Sequence, residues 1–195
     1  MNNKLKTKDI LLIALLTAVY LILYFVTMMV ITPLGAFGHA ISPGIAGLLT
    51  GTIIYFMVRK VGKMWQFTIM TLLLMGIFAL MGAGYIPWVI SSTVMAIIAD
   101  LIASRSNKTG VGKIALAAGI INVGQAWGSI IPSLFFVERY KEEWIKRGQT
   151  AEDMDNMIKY TSGQWGIIST IIVFVLSIIG VYIGYLILTK HFKEK

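Results

Sequence analysis

ILLIALLTAVYLILYFVTMMVI, residues Ile10 to Ile31, is the stretch that decides the fold class. Its 22 residues carry no charge and lead into further apolar sequence. At about 1.5 Å of rise per residue, a helix of this length reaches roughly 33 Å, enough to cross the hydrocarbon core of a bilayer. Within it, Ala14-Leu-Leu-Thr-Ala18 places two small side chains one turn apart on an otherwise bulky helix. In lipid, where apolar faces gain little by leaving their solvent, small residues that admit close backbone approach mark helix contacts. The first helix therefore reads as both a span and a docking surface.

Composition agrees with this reading. The 195 residues are 57% hydrophobic and 13% charged, too few polar groups to cover a soluble domain of this size. The class is an integral membrane protein. The first apolar run is a full span rather than a short cleavable h-region, so it is expected to be retained. Cysteine is absent, which excludes disulfides, thiolate metal sites and a cysteine nucleophile.

Charges divide the chain into apolar segments. Between Asp9 and Arg59 there is no Asp, Glu, Lys or Arg, room for two spans and a connector. The whole predicts six transmembrane helices at about 10–31, 41–58, 65–82, 86–103, 114–137 and 164–189, in one membrane domain covering 1–195. An outer amphipathic loop is expected at about 138–161. The fold class is thus all-α, a six-transmembrane-helix bundle whose even span count puts both termini on one side.

Basic residues orient it. Lys4, Lys6 and Lys8 precede the first span; Arg59, Lys60 and Lys63 follow the second; Arg105, Lys108 and Lys113 follow the fourth; Lys190, Lys193 and Lys195 follow the sixth. The opposite face holds Arg139, Lys141, Lys146, Arg147 and Lys159, mixed with acids in a single loop. The positive-inside bias puts the N and C termini in the cytoplasm. The net charge of +8 is thereby a topology signal, and nucleic acid is not expected as a partner.

The expected outer face is the irregular one. Its first connector, Thr32 to Pro43, reads TPLGAFGHAISP and is expected to break helix and fold back into the membrane's edge. A second turn, rich in Gly, Tyr, Pro and Trp, falls at Gly82 to Trp88. In the last loop, Phe136, Tyr140 and Trp144 continue the fifth helix's spacing until Gly148 offers a stop. Thr150 can then cap a short helix, with Asp153 at the capping-box position and Ala151, Met154 and Ile158 on one face.

Asp100 is the sole acid within a span. An intramembrane carboxylate reads as a proton relay or ion site; its depth, one turn from the interface with Arg105 beyond, favours instead a solvated or paired structural charge. On the fifth helix, Asn122, Gln125 and Ser129 fall at i, i+3 and i+7. Such a stripe either makes interhelical hydrogen bonds or forms the polar wall of a ligand pocket. His39, Tyr85, Trp88, Trp127, Gln164 and Trp165 gather toward the same end of the spans. For the aromatics the competing reading is the interfacial belt, and a lone His39 is not a metal site. The 11 methionines scatter over the spans and fit adaptable packing. Small-xxx-small pairs recur at Gly47/Gly51, Ala115/Gly119, Gly124/Gly128 and Gly180/Gly184, as bundle packing requires. No zinc-protease, serine-hydrolase or P-loop motif occurs, so an enzyme is not expected, nor ATP hydrolysis by this chain.

The Lys-rich start (Lys4-Leu-Lys-Thr-Lys-Asp9), Ala14-Leu-Leu-Thr-Ala18, six spans and both ends inside together resemble the substrate-binding S components of energy-coupling factor (ECF) transporters. Met81-Gly-Ala-Gly-Tyr-Ile-Pro-Trp88, Ala99-Asp-Leu101 and the long fifth loop are similar to the Trep_Strep, or MptD-type, membrane proteins among them. The resemblance covers nearly the whole chain.

It implies a bacterial, multi-pass plasma-membrane subunit that captures a vitamin-like micronutrient from outside. Delivery inward would involve a transmembrane coupling protein and two cytoplasmic ATPases, with Ala14 and Ala18 touching the coupling protein. The implied pocket comprises Trp88, Asn122, Gln125, Ser129, Gln164 and Trp165, with His39 in a lid; no cofactor is implied, and haem or a vitamin-like molecule would enter as substrate. The pocket includes no acid, which argues against a strongly cationic substrate. Competing readings are an independent proton-coupled transporter working through Asp100, and a ligand-free structural partner.

Overall fold

The computed structural model of the protein describes residues 4–191. They form eight α-helices and one 3-10 turn, with no strand among the described residues. In order these are α1 (Thr7–Ile31), the turn (Thr32–Leu34), α2 (Gly35–Lys60), α3 (Gln66–Leu80), α4 (Ile86–Ala103), α5 (Val111–Phe135), α6 (Val137–Lys146), α7 (Ala151–Thr161) and α8 (Gly163–His191).

By length and composition, four stretches can cross a membrane: Thr7–Lys60, Ile86–Ala103, Val111–Phe135 and Gly163–Lys190. The first, of 54 residues, holds two helices. Gly35 adopts a φ of 54° there, a left-handed conformation open to glycine, and α2 packs back on α1. The segment expected at 65–82 is a shorter helix of 15 residues, bounded by left-handed Trp65 (φ 76°) and Gly82 (φ 83°). At about 1.5 Å per residue it reaches roughly 22 Å. Leu15, Ile22, Met29, Ile167 and Leu186 are each more than half exposed, so the exterior is apolar where a soluble protein's would be polar.

Close contacts set the register of the bundle. Gly44, Gly47, Gly51 and Gly184 bring α2 against α8 at Val173, Ser177, Gly180 and Thr52, respectively, so the two helices run parallel. A side chain at Gly51 would strike the Gly180 carbonyl and one at Gly180 the Gly47 carbonyl, so both positions need glycine. Between α4 and α5, Trp88 packs on Gly128 and Ser91 Oγ donates to the Gly124 carbonyl at 2.8 Å, an antiparallel pair. Helix α5 is central: 72% of its apolar window is buried, against 28% to 33% in the other three stretches. At the terminal end of the bundle, Lys63 pairs with Asp9 at 2.6 Å and Arg59 donates to the Asn107 carbonyl at 3.0 Å. Helices α6 and α7 lie at the other end, the covered end, where Ser133 on α5 and Thr161 on α7 share a 2.7 Å hydrogen bond.

Three expectations are corrected. The connector Thr32 to Pro43 breaks the helix only at its start, at Thr32–Leu34 and Gly35, and α2 runs unbroken through Pro43. Pro43 cannot donate to the His39 carbonyl one turn back, and Ser42 Oγ does so instead, at 2.8 Å. Second, the helix expected to reach 137 ends at Phe135, because Phe136 leaves the helical region (φ −140°, ψ 39°). Third, the region 138–161 is two helices, not one continued helix and a short one. Its other features stand as expected: Gly148 turns the chain at φ 100°, and Thr150 caps α7 by accepting from the Asp153 N–H at 3.1 Å.

Candidate functional site

The covered-end halves of α1, α2, α3, α4 and α5 line a partly open cavity of about 210 Å³, roofed by α6. Its walls are aromatic for reasons set by helix spacing. Tyr24 continues the buried α1 stripe of Ile13, Thr17 and Tyr20. It meets Phe78 of α3 edge-on at 5.3 Å between ring centres, and Phe78 meets Trp88 at 5.3 Å. Across the roof, Tyr140 and Trp144, one turn apart on α6, close on Tyr85 at 5.6 and 5.9 Å. Burial raises the pKa of both roof phenols, that of Tyr85 to about 12, so both remain neutral wall groups.

A second, wider space of about 620 Å³ adjoins it, lined by Phe37, Gln149, Asp153, Asn156 and Tyr160 among others. His39 and Trp144 line both spaces and form the partition between them. The inner space carries no formal charge; the outer one presents the Asp153 carboxylate and two amides.

The polar stripe on α5 is organised by a chain of hydrogen bonds that fixes its polarity. Asn122 Nδ2 donates to the Ala118 carbonyl at 3.0 Å, which leaves Oδ1 as the acceptor. Tyr20 donates its hydroxyl proton to that oxygen at 3.2 Å. The Tyr20 oxygen in turn receives Gln125 Nε2 at 3.4 Å. Gln125 is 4% exposed and lines the cavity, and its Oε1 is buried without a partner. Buried amide oxygens are ordinarily satisfied. A second unpartnered group is the indole N–H of Trp144 in the roof.

Of the residues expected at the site, His39, Trp88, Gln125 and Ser129 line the inner cavity. His39 does so from helix α2, not from a loop. Asn122 lies fully buried beneath it and acts on it through Tyr20. Gln164 and Trp165 are exposed at the start of α8 and line neither space. Trp165 packs instead against Phe37 and Tyr160, at 6.1 and 5.4 Å, and Trp127 spends its N–H on Thr170, at 3.3 Å. The wall residues Tyr24, Phe78, Tyr140 and Trp144 were not singled out as site residues from sequence. The i, i+4 spacing of Tyr20/Tyr24 and of Tyr140/Trp144 was the available signal.

Asp100 is remote from the cavity. Fully buried near the terminal end, it accepts from the Phe67 and Thr68 N–H groups at 3.1 and 2.9 Å, and from the hydroxyls of Thr68 and Ser104. The carboxylate thereby caps α3 from the neighbouring helix, a role suited to the positive end of a helix dipole. No group of His, Cys, Asp and Glu among the described residues is arranged to hold a metal.

Four of the five small-xxx-small pairs are buried inside the bundle. Ala14 and Ala18 alone are exposed, flanked by exposed Leu11, Leu15 and Ile22.

The family model described as a hypothetical bacterial integral membrane protein (Trep_Strep) matches residues 7–194. No curated protein and no solved structure matches the sequence.

Proposed function

The chain belongs to the Trep_Strep family of bacterial integral membrane proteins, and from that premise we propose that it is the substrate-binding subunit of an ECF-type importer. On this reading the bundle crosses the membrane six times, α3 included, with both termini in the cytoplasm and the covered end facing outside. The observation that carries the reading is the aromatic-lined cavity with a buried, unsatisfied amide oxygen in its wall. A bundle that served only as scaffold would gain by filling that volume and pairing that oxygen. The wider space above supplies an entry route, and the partition by His39 and Trp144 a place where entry is controlled.

The uncovered Ala14/Ala18 face supplies a docking surface for a transmembrane coupling protein, since lipid gives no reason to keep small residues outside. ATP hydrolysis would belong to two partner ATPases. Coupling through Asp100 finds less support, because four donors already occupy its carboxylate.

The test is uptake in proteoliposomes. Ligand bound by the purified chain should accumulate only when the coupling protein and ATPases are co-reconstituted and ATP is enclosed with them. Accumulation by the chain alone, driven by a proton gradient, would overturn the reading.

A further inference from the structure

We propose that the inner cavity takes a neutral, flat molecule of one or two fused rings with an N–H or O–H group at its buried edge, and that Gln125 Oε1 selects this donor. The inference rests on the capture reading above and narrows what is captured.

Three observations carry it. The first is polarity. An amide side chain can ordinarily turn over and offer either end, but the Ala118 carbonyl fixes Asn122, Asn122 fixes the Tyr20 proton, and Tyr20 fixes the Gln125 amide. Gln125 therefore holds its acceptor oxygen buried and unpaired within the cavity wall, and a ligand that reaches it must bring the donor. The second is charge. No Asp, Glu, Lys or Arg lines the inner space, and a buried ion without a counter-charge is strongly disfavoured. Asp153 lies in the outer space, beyond the His39–Trp144 partition.

The third is size and shape. An apolar cavity of about 150 Å³ holds one benzene ring. A cavity of about 210 Å³ walled by Tyr24, Phe78 and Trp88 accommodates a single substituted ring or a small fused pair. A tetrapyrrole such as haem is several times too large. The Trp144 N–H, buried and unpaired in the roof, is a donor that a carbonyl or ring nitrogen at the molecule's other edge would satisfy.

The experiment uses the full chain in nanodiscs, with melting temperature and tryptophan fluorescence read against matched neutral probes. The pairs are 2-quinolone and 1-methyl-2-quinolone, phthalimide and N-methylphthalimide, and indole and 1-methylindole. The N–H member of each pair should bind about 10-fold tighter, the scale of one buried hydrogen bond left unmade. Gln125→Met, which keeps length but not the acceptor, should erase that gap. Trp144→Phe should weaken the two carbonyl-bearing N–H probes and leave indole unchanged. Equal binding within the pairs by the unsubstituted protein overturns the inference without any variant having to fold. So does a gap that survives Gln125→Met.

A parallel arm offers 2-naphthoate, thiamine and protoporphyrin. Binding there with none in the neutral pairs overturns the ligand class and leaves the capture reading intact. Absence of binding in every arm overturns both.

Discussion

Tyr20 on α1 and Gln125 on α5, separated by 105 positions in the chain, meet through a 3.4 Å hydrogen bond beneath the cavity. The contact ties the first helix to the central one and sets which end of the Gln125 amide is left unpaired in the cavity wall. Tyr20→Phe removes the hydroxyl from this chain. Asn122 Oδ1 and Gln125 Nε2 then both lose a partner in a buried setting, at an expected cost of about 1–2 kcal/mol. Gln125 also becomes free to turn over, so discrimination between N–H and N-methyl probes should narrow. Reversible unfolding in mixed micelles measures the first effect and probe titration the second; unchanged discrimination would contradict the fixed amide.

Asp100→Asn should destabilise the fold by about 3 kcal/mol. The carboxylate offers two acceptor oxygens, one facing Phe67 N–H and Ser104, the other Thr68 N–H and Oγ1. An asparagine must turn its NH2 toward one of these donor sets and leave it unpaired, and it also gives up the charge at the α3 terminus. Protein that does fold should retain ATP-driven uptake. Normal stability with uptake abolished would return the proton-coupled reading.

Much of this architecture is legible in the sequence because lipid imposes one simple demand. Long uncharged runs must be helical to satisfy their backbone, and such runs bound α1, α4, α5 and α8 within a few residues. What misleads is local chemistry solved by neighbours. Pro43 and the glycines around it read as a helix break, yet Ser42 takes over the orphaned His39 carbonyl and α8 needs those glycines for close approach. The Asn122/Gln125 stripe pointed to the site, but its partner Tyr20 lies a hundred residues away and leaves no local mark. Gln164 and Trp165 were attractive by type and depth. Trp165 packs against Phe37 and Tyr160 outside the cavity, a choice of neighbour that residue type does not encode.

The α2–α8 seam gives a prediction with an internal control. Gly51→Ala and Gly180→Ala each place a methyl group against backbone, the Gly180 carbonyl in one case and the Gly47 carbonyl and Leu48 in the other. Backbone cannot swing aside as a side chain can, so each substitution should cost about 1–3 kcal/mol by forcing the helices apart. Gly76→Ala, with nothing within 4 Å of the added carbon, should be neutral or slightly stabilising because alanine is the better helix former. Equal melting temperatures for Gly51→Ala and Gly76→Ala would contradict the seam.

Ala14→Leu and Ala18→Leu probe the uncovered face of α1. Both side chains are exposed among exposed leucine and isoleucine, so an added isobutyl group meets no part of this chain. Stability should change by less than about 0.5 kcal/mol, as is usual for surface positions away from packed features. Ligand binding should be unchanged, because the cavity is reached from the opposite stripe of α1, where Tyr20 and Tyr24 are buried. What should fail is assembly. A leucine pair fills the shallow groove through which a partner helix approaches, and reconstituted ATP-driven uptake should fall at least tenfold along with recovery of the coupling protein on affinity purification. Loss of binding by the isolated variant would mean that this face shapes the cavity; full uptake with intact assembly would mean that the partner docks elsewhere.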